Sequence, residues 1–454
     1  NYMKPNILFI TIDSLRNDRC FGENRNSKTP NLDSLIKKSI YFSQTISAGD
    51  QTGTSLSSVF TGIFPIRTGQ NQINFKSDFL TYFDVLKEAG YHSYALIPDD
   101  AFFKKFSINF DEKIIYVFTD KKKKQLLGTD LGDKIITKLN SNEMKEPWIY
   151  FLHLMDLHTP FSVPIEFDNQ KNGETKYDRL ISYVDVWLGR FLNQINMENT
   201  LIVITSDHGE YIPVTDENIS EIPNIQRFLS KGKTSVSFIE KIRMKTLLNV
   251  RFAAQTYRKE KLKRTLSPYE MRSFNSRSAL DLYDEIVCIP LIFAGYNIDA
   301  GKIISDMVRN VDIFPTIFEI IGLPDSIKGD GRSLFPLMND KKLDELPAYI
   351  EVGINLAQLV NSKNPKALPK IIGVRTSEYK YFRARDSRER NVRLFDLKND
   401  ALEKKNIIDE KPKVVKKMEE ILSQFTKDMK GDEGTLTAED IKKAKETLLK
   451  LGYI

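Results

Sequence analysis

A continuous run of apolar and β-branched residues, NILFITI at Asn6–Ile12, constrains the fold more than any other feature of this chain. Such a run is typical of a strand that is buried on both faces of a parallel sheet. Four later runs share this character and lie at residues 93–97, 148–154, 200–205 and 289–294. Helical stretches accompany these strands and lie at residues 31–38, 79–89, 177–195 and 313–321. Strands that alternate with helices predict an α/β fold with a large, mostly parallel sheet.

The chain has 454 residues, which is enough for a large catalytic domain and a smaller unit. Beyond residue 345 the apolar runs become shorter and are separated by polar turns, which is typical of an antiparallel sheet. These strands are predicted at residues 348–352, 371–375, 379–383 and 392–396, and two helices at 412–425 and 438–451. We therefore predict a catalytic domain at 4–344 and a C-terminal subdomain at 345–454, with a small antiparallel sheet and two helices.

Charge and cysteine content restrict the class of protein. The formal net charge is +6, and the only cysteines are Cys20 and Cys288, so the chain has neither a disulfide framework nor a zinc knuckle. No apolar run approaches the roughly 20 residues that a membrane helix needs. The N-terminal residues do not form a secretory signal pattern. The sequence therefore predicts a cytoplasmic protein.

The segment at residues 226–277 differs from the rest of the chain, because it holds 14 Lys or Arg residues against three acids. Four interpretations are open: a lid, a membrane-surface helix, a contact for an anionic substrate, or a solvated helical insertion. If this segment binds a membrane surface, the protein is expected to be cytoplasmic and associated with that surface. No nucleic-acid motif accompanies the basic residues, so we do not expect nucleic-acid binding.

Acidic and imidazole side chains follow three of the predicted strands. Asp13 follows the first strand, Asp156 and His158 follow the strand at 148–154, and Asp207 and His208 follow the strand at 200–205. Parallel sheets place their chemistry at the carboxyl ends of strands. Carboxylate and imidazole together suit a divalent cation. The alternative for the Asp-His pair is a helix cap with a surface histidine. Inside the strand at 148–154, the alternating pattern assigns His153 to the core.

Several motifs occur in an order that resembles the sulfatase family of the alkaline-phosphatase superfamily. They are DSLRND at 13–18, TPNLDSL at 29–35, TGTS at 52–55, TGIFP at 61–65, TLIVITSDHGE at 200–210, LYDE at 282–285, VDIFPT at 311–316 and DGRSL at 330–334. The likeness covers about residues 5 to 425. It implies a three-layer alkaline-phosphatase-like fold.

The resemblance also implies roles for particular residues. It assigns the metal ligands to Asp13, Thr52, Asp207 and His208, with Thr52 as the nucleophile. In sulfatases the nucleophile is a Cys or Ser that is converted to formylglycine, and threonine cannot be converted in that way. Leu56 stands where those enzymes have an arginine. Threonine in this position resembles the branch of phosphodiesterases and phosphotransferases that use a threonine nucleophile. A divalent cation lowers the pKa of a bound hydroxyl and so activates it.

Other site residues follow from the same resemblance. His158, in the segment LHTPF, is expected to stabilise oxyanion charge or to protonate the leaving group, against the alternative of a structural histidine. Asp156 is a candidate for substrate binding. Ala279 stands where the family has a lysine that contacts the substrate anion, and the basic residues Arg277, Arg272 and Lys380 are candidates to replace it. The chain has four histidines and none after His208, which leaves too few ligands for a second metal site. We therefore expect one divalent ion: Mn²⁺, Zn²⁺, Mg²⁺ or Ca²⁺.

The main hypothesis is a metal-dependent hydrolase or transferase that acts on phosphate mono- or diesters through a phospho-Thr52 intermediate. The first alternative is a sulfatase-like hydrolase of sulfate esters. The second is an inactive homologue that binds glycans or anionic membrane surfaces. The expected partner is a small-molecule, glycan-linked or lipid-linked phosphate ester, and an anionic membrane surface is a further candidate.

Overall fold

The computed structural model describes residues 4–23, 25–71, 75, 79–120, 123–214, 253–254, 256–275, 280–298, 301–353, 370–427, 429 and 442. The chain forms two compact units: residues 1–210 together with 277–454, and residues 211–276. The second unit nearly coincides with the basic segment at 226–277. The boundary at 344 falls inside the first unit, and the division at that position stays a prediction.

A sheet of nine strands forms the centre of the first unit, with the order β4-β3-β5-β1-β6-β7-β2-β8 and with β9 also paired to β2. The strands are β1 Asn6–Ile12, β2 Ile40–Ile46, β3 His92–Pro98, β4 Glu112–Tyr116, β5 Trp148–Leu154, β6 Thr200–Thr205, β7 Cys288–Gly295, β8 Lys302–Ile304 and β9 Val308–Arg309. All seven residues of β1 are buried. The strand runs parallel to β5 on one side and to β6 on the other. The predicted α/β class and mostly parallel sheet are therefore confirmed.

The direction of β7 is the exception within this sheet. This strand runs antiparallel to both β6 and β2, although its apolar composition resembles that of the parallel strands. Burial on both faces explains the likeness, because a doubly covered strand is apolar whatever its direction. Strands β2, β4, β8 and β9 were not among the predicted strands.

Helices of the first unit cover both faces of the sheet. They are α1 Asn17–Cys20, α2 Pro30–Ile36, α3 Thr52–Thr61, α4 Pro65–Thr68, α5 Tyr82–Glu88, α6 Ala101–Phe106, α7 Gly132–Asn140 and α8 Lys176–Leu192. Short π and 3₁₀ turns lie at Leu127–Leu131, Gln170–Asn172 and Asn310–Asp312. The second unit contributes α9 Pro268–Arg272. Later helices of the first unit are α10 Asp284–Val287, α11 Ile313–Ile320, α12 Phe335–Met338 and α13 Pro412–Thr426.

Alternate residues of β1 face different helix layers. Phe9 packs in a phenylalanine-rich core with Phe60 of α3, Phe83 of α5 and Phe314 of α11. On the opposite face, Ile12 lines a small apolar cavity together with residues of α2 and α8. The two helix layers and the sheet between them give the predicted three-layer architecture.

The small antiparallel sheet of four strands has the order β10-β11-β12-β13. Its strands are β10 Ala348–Glu351, β11 Ile371–Arg375, β12 Tyr379–Ala384 and β13 Arg393–Asp396. Tyr349, Leu394 and Leu422 of α13 share a core with Phe64 and Val311 of the larger sheet's connections. The predicted C-terminal sheet is confirmed, and the helix predicted at 438–451 lies outside the described residues apart from position 442.

Within the second unit, Ser267 caps α9, and its side chain and that of Glu270 exchange hydrogen bonds with each other's backbone amides. Across the part of the chain that the structure describes, no helix combines the length and apolarity that a membrane crossing requires.

Candidate active site

Three neighbouring strands bring their polar residues to one place. In the register of the sheet, Thr11 of β1 lies between His153 of β5 and Thr205 of β6. Two residues further on, Asp13 is level with Asp207, and its Oδ2 lies 3.7 Å from His153 Nε2. Side chains of Asp13, His153 and Asp207 are fully buried. Parallel strands thus collect two carboxylates and an imidazole at the carboxyl edge of the sheet.

Each of the two carboxylates is oriented by hydrogen bonds to its Oδ1 atom. Ser14 Oγ donates to Asp13 Oδ1 at 2.6 Å. The backbone amides of His208 and Ser14 donate to Asp207 Oδ1 at 2.8 Å and 3.1 Å. Ser14 adopts a φ of 62°, a left-handed conformation that is unusual outside glycine and that often accompanies a functional site. Because the Oδ1 atoms are held in this way, both Oδ2 atoms are available at a common point.

Thr52, the first residue of α3, lies at this common point. Its Oγ1 donates to Asp207 Oδ2 at 2.7 Å and lies 3.3 Å from Asp13 Oδ2 and 3.5 Å from His208 Nε2. Thr52 is half-buried, whereas the residues around it are fully buried. The hydroxyl is therefore the outward side of the cluster. The structure brings Asp13, Thr52, Asp207 and His208 together as expected, and their catalytic roles stay predictions.

Backbone and hydroxyl groups fix the start of α3 against the strand end that holds Asp207. Ser47 Oγ lies 2.7 Å from the carbonyl oxygen of Asp207 and 2.9 Å from Ser55 Oγ. The side-chain amide of Asn310 donates to Ser55 Oγ at 3.2 Å. These contacts explain why Thr52 is placed precisely enough to touch two carboxylates, since its helix cannot slide without breaking them.

Hydrogen bonds define which nitrogen of each histidine carries the hydrogen. His208 Nδ1 lies 2.8 Å from the carbonyl oxygen of Gly209, which can only accept, so Nδ1 donates. His153 Nδ1 lies 2.7 Å from Thr11 Oγ1, and Thr11 Oγ1 lies 3.1 Å from the carbonyl oxygen of Leu152. Both contacts of Thr11 are satisfied when its hydroxyl donates to Leu152 and accepts from His153 Nδ1. In the neutral form of each ring, Nε2 is then the nitrogen that carries the lone pair.

The donor set fits a divalent cation. Asp13, His153 and Asp207 each offer one ligand atom, and the three atoms lie within 4.8 Å of one another. His153 Nε2 is buried and has no hydrogen-bond partner among the described residues. Buried carboxylates that face each other are costly without a positive charge between them. Carboxylate, hydroxyl and imidazole ligands suit the predicted class of ions.

The prediction for His153 was incomplete. The side chain is buried, as the strand pattern indicated, and its ring packs 4.5 Å from the ring of Phe103. However, Nε2 lies only 3.7 Å from Asp13 Oδ2, so the ring belongs to the cluster rather than to an apolar core. The sequence shows a histidine within a strand that ends in other polar residues, which could have indicated a site. The pairing of β5 with β1 was needed to show that this histidine reaches Asp13.

Asp156 and His158 follow β5 on the same edge of the sheet. Asp156 is buried, and its Oδ1 accepts a hydrogen bond from the Leu127 amide at 3.1 Å. Burial raises the pKa of the Asp156 carboxyl to about 7, against the lowering effect of the Leu127 amide. His158 is half-buried, its Nδ1 donates to the Thr159 carbonyl at 2.7 Å, and its ring lies edge-on to Phe118 at 5.2 Å. The substrate and acid roles of these two residues stay predictions.

Lys380 lies in the small sheet and is fully buried between two acids. Its Nζ is 2.6 Å from Asp284 Oδ1 and 2.6 Å from Glu403 Oε1, and Arg375 also pairs with Asp284 at 2.9 Å. Burial raises the pKa of Glu403 to about 7, while Arg375 and Lys380 lower the pKa of Asp284. The Lys380 ammonium is thus engaged in ion pairs, and its assignment to substrate stays a prediction without a supporting contact. Arg277 lies outside the described residues.

Leu56 lies four residues after Thr52, on the inner face of α3. It is fully buried and belongs to the phenylalanine-rich core with Val59 and Phe60. A guanidinium at this position would have to enter that core without a partner, which costs several kcal/mol. In this chain Leu56 therefore packs α3 against the core, at the position where the resemblance expects an arginine.

We predict that Asp156→Asn changes the pH dependence of stability. The raised pKa, about 7 against 3.8 in the unfolded chain, means that the folded state holds the proton more tightly. The free energy of unfolding therefore falls as the pH rises from about 4 to about 7, by at most about 4 kcal/mol from this group. Asparagine removes that loss, so the variant should gain stability relative to wild type between pH 5 and pH 8 in urea titrations.

A matched control is Asp130→Asn. Hydrogen bonding to Lys134 lowers the pKa of Asp130, so this group is ionised in both states above pH 5 and contributes no slope there. The difference between this variant and wild type should be constant from pH 5 to pH 8. A constant difference for Asp156→Asn as well would contradict the prediction.

The three-layer fold with this cluster at the sheet edge defines the alkaline-phosphatase-like class of hydrolases. The model of the family described as Sulfatase matches residues 5–323, and a model described as N-sulphoglucosamine sulphohydrolase, C-terminal, matches residues 270–430. The chain belongs to the sulfatase family.

Individual relatives agree with this assignment. A sulfatase of Formosa agariphila is 23% identical over 74% of this chain and 73% of its own length. Arylsulfatase K of Rattus norvegicus is 22% identical over 92% of this chain and 77% of its own length. Some other relatives are matched over only 26% to 52% of their length. The phosphonate monoester hydrolase of Agrobacterium radiobacter superposes with a TM-score of 0.65 at 16% identity, over 96% of this chain and 99% of that one.

Proposed function

We propose that this member of the sulfatase family hydrolyses or transfers phosphate mono- or diesters through Thr52, with one divalent cation. The position of the Thr52 hydroxyl carries the proposal: it contacts Asp207 Oδ2 at 2.7 Å and Asp13 Oδ2 at 3.3 Å. A hydroxyl that served only as a helix cap would bond to the backbone amides of its own helix instead. Here it is directed towards the carboxylates.

The cation, when bound by Asp13, Thr52, Asp207 and His208, would lower the pKa of the Thr52 hydroxyl and neutralise charge on the ester oxygens. Asp207 Oδ2 already accepts the hydroxyl hydrogen, so it is placed to take the proton as Thr52 Oγ1 attacks. The first turn of α3 adds the positive end of a helix beside the reacting anion.

The reaction then proceeds in two displacements. Thr52 Oγ1 forms a bond to phosphorus, the bond from phosphorus to the leaving oxygen breaks, and that oxygen keeps the electron pair. The doubly protonated His158 ring can deliver the Nε2 proton to it, because Nδ1–H is engaged with the Thr159 carbonyl. In the second step water, or an acceptor alcohol, attacks the phospho-Thr52 phosphorus and passes its proton to His158 Nε2. The bond from phosphorus to Thr52 Oγ1 breaks, and Oγ1 takes back the proton held by Asp207. Water gives a hydrolase and an alcohol gives a transferase.

Sulfate esters form the second candidate substrate class, because the matched family and the relatives from Formosa agariphila and Rattus norvegicus are named as sulfatases. The residues favour phosphate instead. Thr52 cannot become formylglycine, and the buried Leu56 stands where the resemblance expects an arginine. For partners, we propose small-molecule, glycan-linked or lipid-linked phosphate esters, with the basic segment 226–277 as the contact for an anionic substrate or membrane surface.

The experiment is a substrate panel with the full chain. Bis-p-nitrophenyl phosphate, p-nitrophenyl phosphate, p-nitrophenyl phenylphosphonate and p-nitrophenyl sulfate are each assayed with Mn²⁺, Zn²⁺, Mg²⁺ and Ca²⁺. We expect kcat/KM for a phosphorus ester to exceed that for the sulfate by at least about tenfold, a transition-state difference of about 1.4 kcal/mol. A preference for the sulfate would replace the proposal with its alternative. No turnover with any ester and ion would favour an inactive homologue.

A further inference from the structure

We propose that His153 is a direct ligand of the cation, and that it makes this chain select a transition-metal ion such as Zn²⁺ or Mn²⁺ over Ca²⁺ and Mg²⁺. The inference rests on the proposed function only in requiring a cation at this site. It adds a residue to the ligand set and names the class of ion.

The position of the His153 ring is the first observation. Nε2 lies 3.7 Å from Asp13 Oδ2, which is beyond hydrogen-bond distance, and the ring and the carboxylate are both fully buried. Nε2 also has no hydrogen-bond partner among the described residues. A buried polar nitrogen without a partner is costly. A cation between Nε2 and the Asp13 carboxylate supplies that partner.

The tautomer is the second observation. Thr11 has one hydroxyl hydrogen, and its Oγ1 contacts the Leu152 carbonyl at 3.1 Å and His153 Nδ1 at 2.7 Å. The carbonyl can only accept, so the hydroxyl donates to it and Nδ1–H donates to the hydroxyl. Nε2 then presents a lone pair to the site. Metal-bound histidines usually have this arrangement, in which the second nitrogen donates to an oxygen that fixes the ring.

His208 repeats the arrangement on the other side of the cluster. Its Nδ1 donates to the Gly209 carbonyl at 2.8 Å, and its Nε2 lies 3.4 Å from Asp207 Oδ2. The resemblance assigns His208 to the ligand set, and His153 adds a second imidazole whose ligand atom lies within 4.8 Å of those of Asp13 and Asp207. Imidazole favours zinc and other transition metals, whereas Ca²⁺ takes six to eight oxygen ligands and Mg²⁺ prefers oxygen and water.

Charge points in the same direction. The residue next to Asp13 is the neutral Ser14, and its hydroxyl donates to Asp13 Oδ1 at 2.6 Å. The neutral His153 thus supplies an additional donor without an additional negative charge. Two carboxylates balance the charge of one divalent ion, and carboxylate together with imidazole is a ligand combination that zinc accepts readily.

The test measures cation binding rather than turnover. Full-length protein is stripped with a chelator, and the dissociation constants of Zn²⁺, Mn²⁺, Ca²⁺ and Mg²⁺ are measured by competition with a chromogenic chelator. We expect wild type to bind Zn²⁺ at least about 100-fold more tightly than Ca²⁺. His153→Ala should weaken Zn²⁺ binding by roughly 10- to 100-fold or more and change Ca²⁺ binding little, so that the ratio collapses.

Two variants sharpen the result. Thr11→Val removes the oxygen that accepts from Nδ1 and should reproduce part of the loss for Zn²⁺. His92→Ala, at the half-buried start of β3, changes a histidine away from the cluster and should leave the ratio as it is in wild type. Equal Zn²⁺ to Ca²⁺ ratios in wild type and His153→Ala would overturn the inference, and so would a wild type that prefers Ca²⁺ or Mg²⁺.

A measurement on wild type covers the case in which the His153 variant does not fold. X-ray absorption of the zinc-loaded protein counts the imidazoles around the ion, and two are expected. One imidazole would mean that only His208 binds and that His153 merely positions Asp13. Neither the dissociation constants nor the X-ray absorption needs a substrate. A protein that binds zinc through His153 but turns over no ester would therefore contradict the proposed function and still support this inference.

Discussion

Thr52→Ala is expected to lower kcat/KM for the best ester by roughly 10⁴-fold or more, because it removes the atom that forms the covalent intermediate. Background turnover would come only from binding and electrostatic stabilisation by the rest of the site. The measurement is steady-state hydrolysis of bis-p-nitrophenyl phosphate at a saturating concentration of the preferred ion. Acid quenching of wild type during turnover should also yield a peptide that carries a phosphoryl group on Thr52, and the variant should yield none.

Thr52→Ser is the matched control, since it keeps the hydroxyl at the start of α3 and should retain most of the activity. The alanine variant should still bind the cation, because Asp13 and Asp207 keep their Oδ1 contacts with Ser14 and His208. Turnover by Thr52→Ala within about tenfold of wild type would rule out the nucleophile assignment. Loss of cation binding in that variant would instead show that the hydroxyl is an essential ligand.

Asp207→Asn is expected to lower cation affinity by at least about 100-fold and to abolish measurable turnover. One of two buried carboxylates loses its charge, and Asp207 Oδ2 is also the acceptor of the Thr52 hydroxyl at 2.7 Å. Asparagine has nearly the same shape, and its oxygen can still accept from the amides of Ser14 and His208. The fold should therefore persist, so that the effect reports on charge. Elemental analysis after dialysis and the ester assay measure the two losses.

Asp111→Asn is a comparable substitution elsewhere in the molecule. Its carboxylate accepts hydrogen bonds from the Ser93 amide and hydroxyl at 2.7 Å and 3.0 Å, at the beginning of β3. Cation content and turnover should stay at the wild-type level in this variant. If Asp207→Asn retains one ion per chain with wild-type affinity, Asp207 is not a ligand and the site must be reassigned.

Sequence patterns located the strands that form the centre of the fold. The predicted bounds of β1, β5 and β6 agree with the structure, because strands buried on both faces are continuous apolar runs. Strand β2 was missed, and it includes Ser43 and Gln44, which interrupt its apolar pattern. Its place between β7 and β8, and the reversed direction of β7, depend on connections that local patterns do not encode.

The candidate site was predictable where a residue is recognised by its neighbours along the chain. Asp13, Asp207 and His208 follow strands, and Thr52 lies in a motif. His153 could not be assigned, because its contact with Asp13 depends on the pairing of β5 with β1. Lys380 was assigned by its charge alone, and the sequence does not reveal that Asp284 and Glu403 enclose it. Recognition of those contacts requires the three-dimensional arrangement of residues that are distant in sequence.

Full burial of Asp13 and Asp207 has a consequence for the lifetime of the protein. If the proposed cation binds there, it offsets the cost of enclosing two carboxylates and acts as a ligand of the native state. Loading at 100 times the dissociation constant would add about 2.7 kcal/mol to the free energy of unfolding. Under metal starvation, proteases would encounter the open chain more often, and the abundance of the protein would follow the supply of its ion.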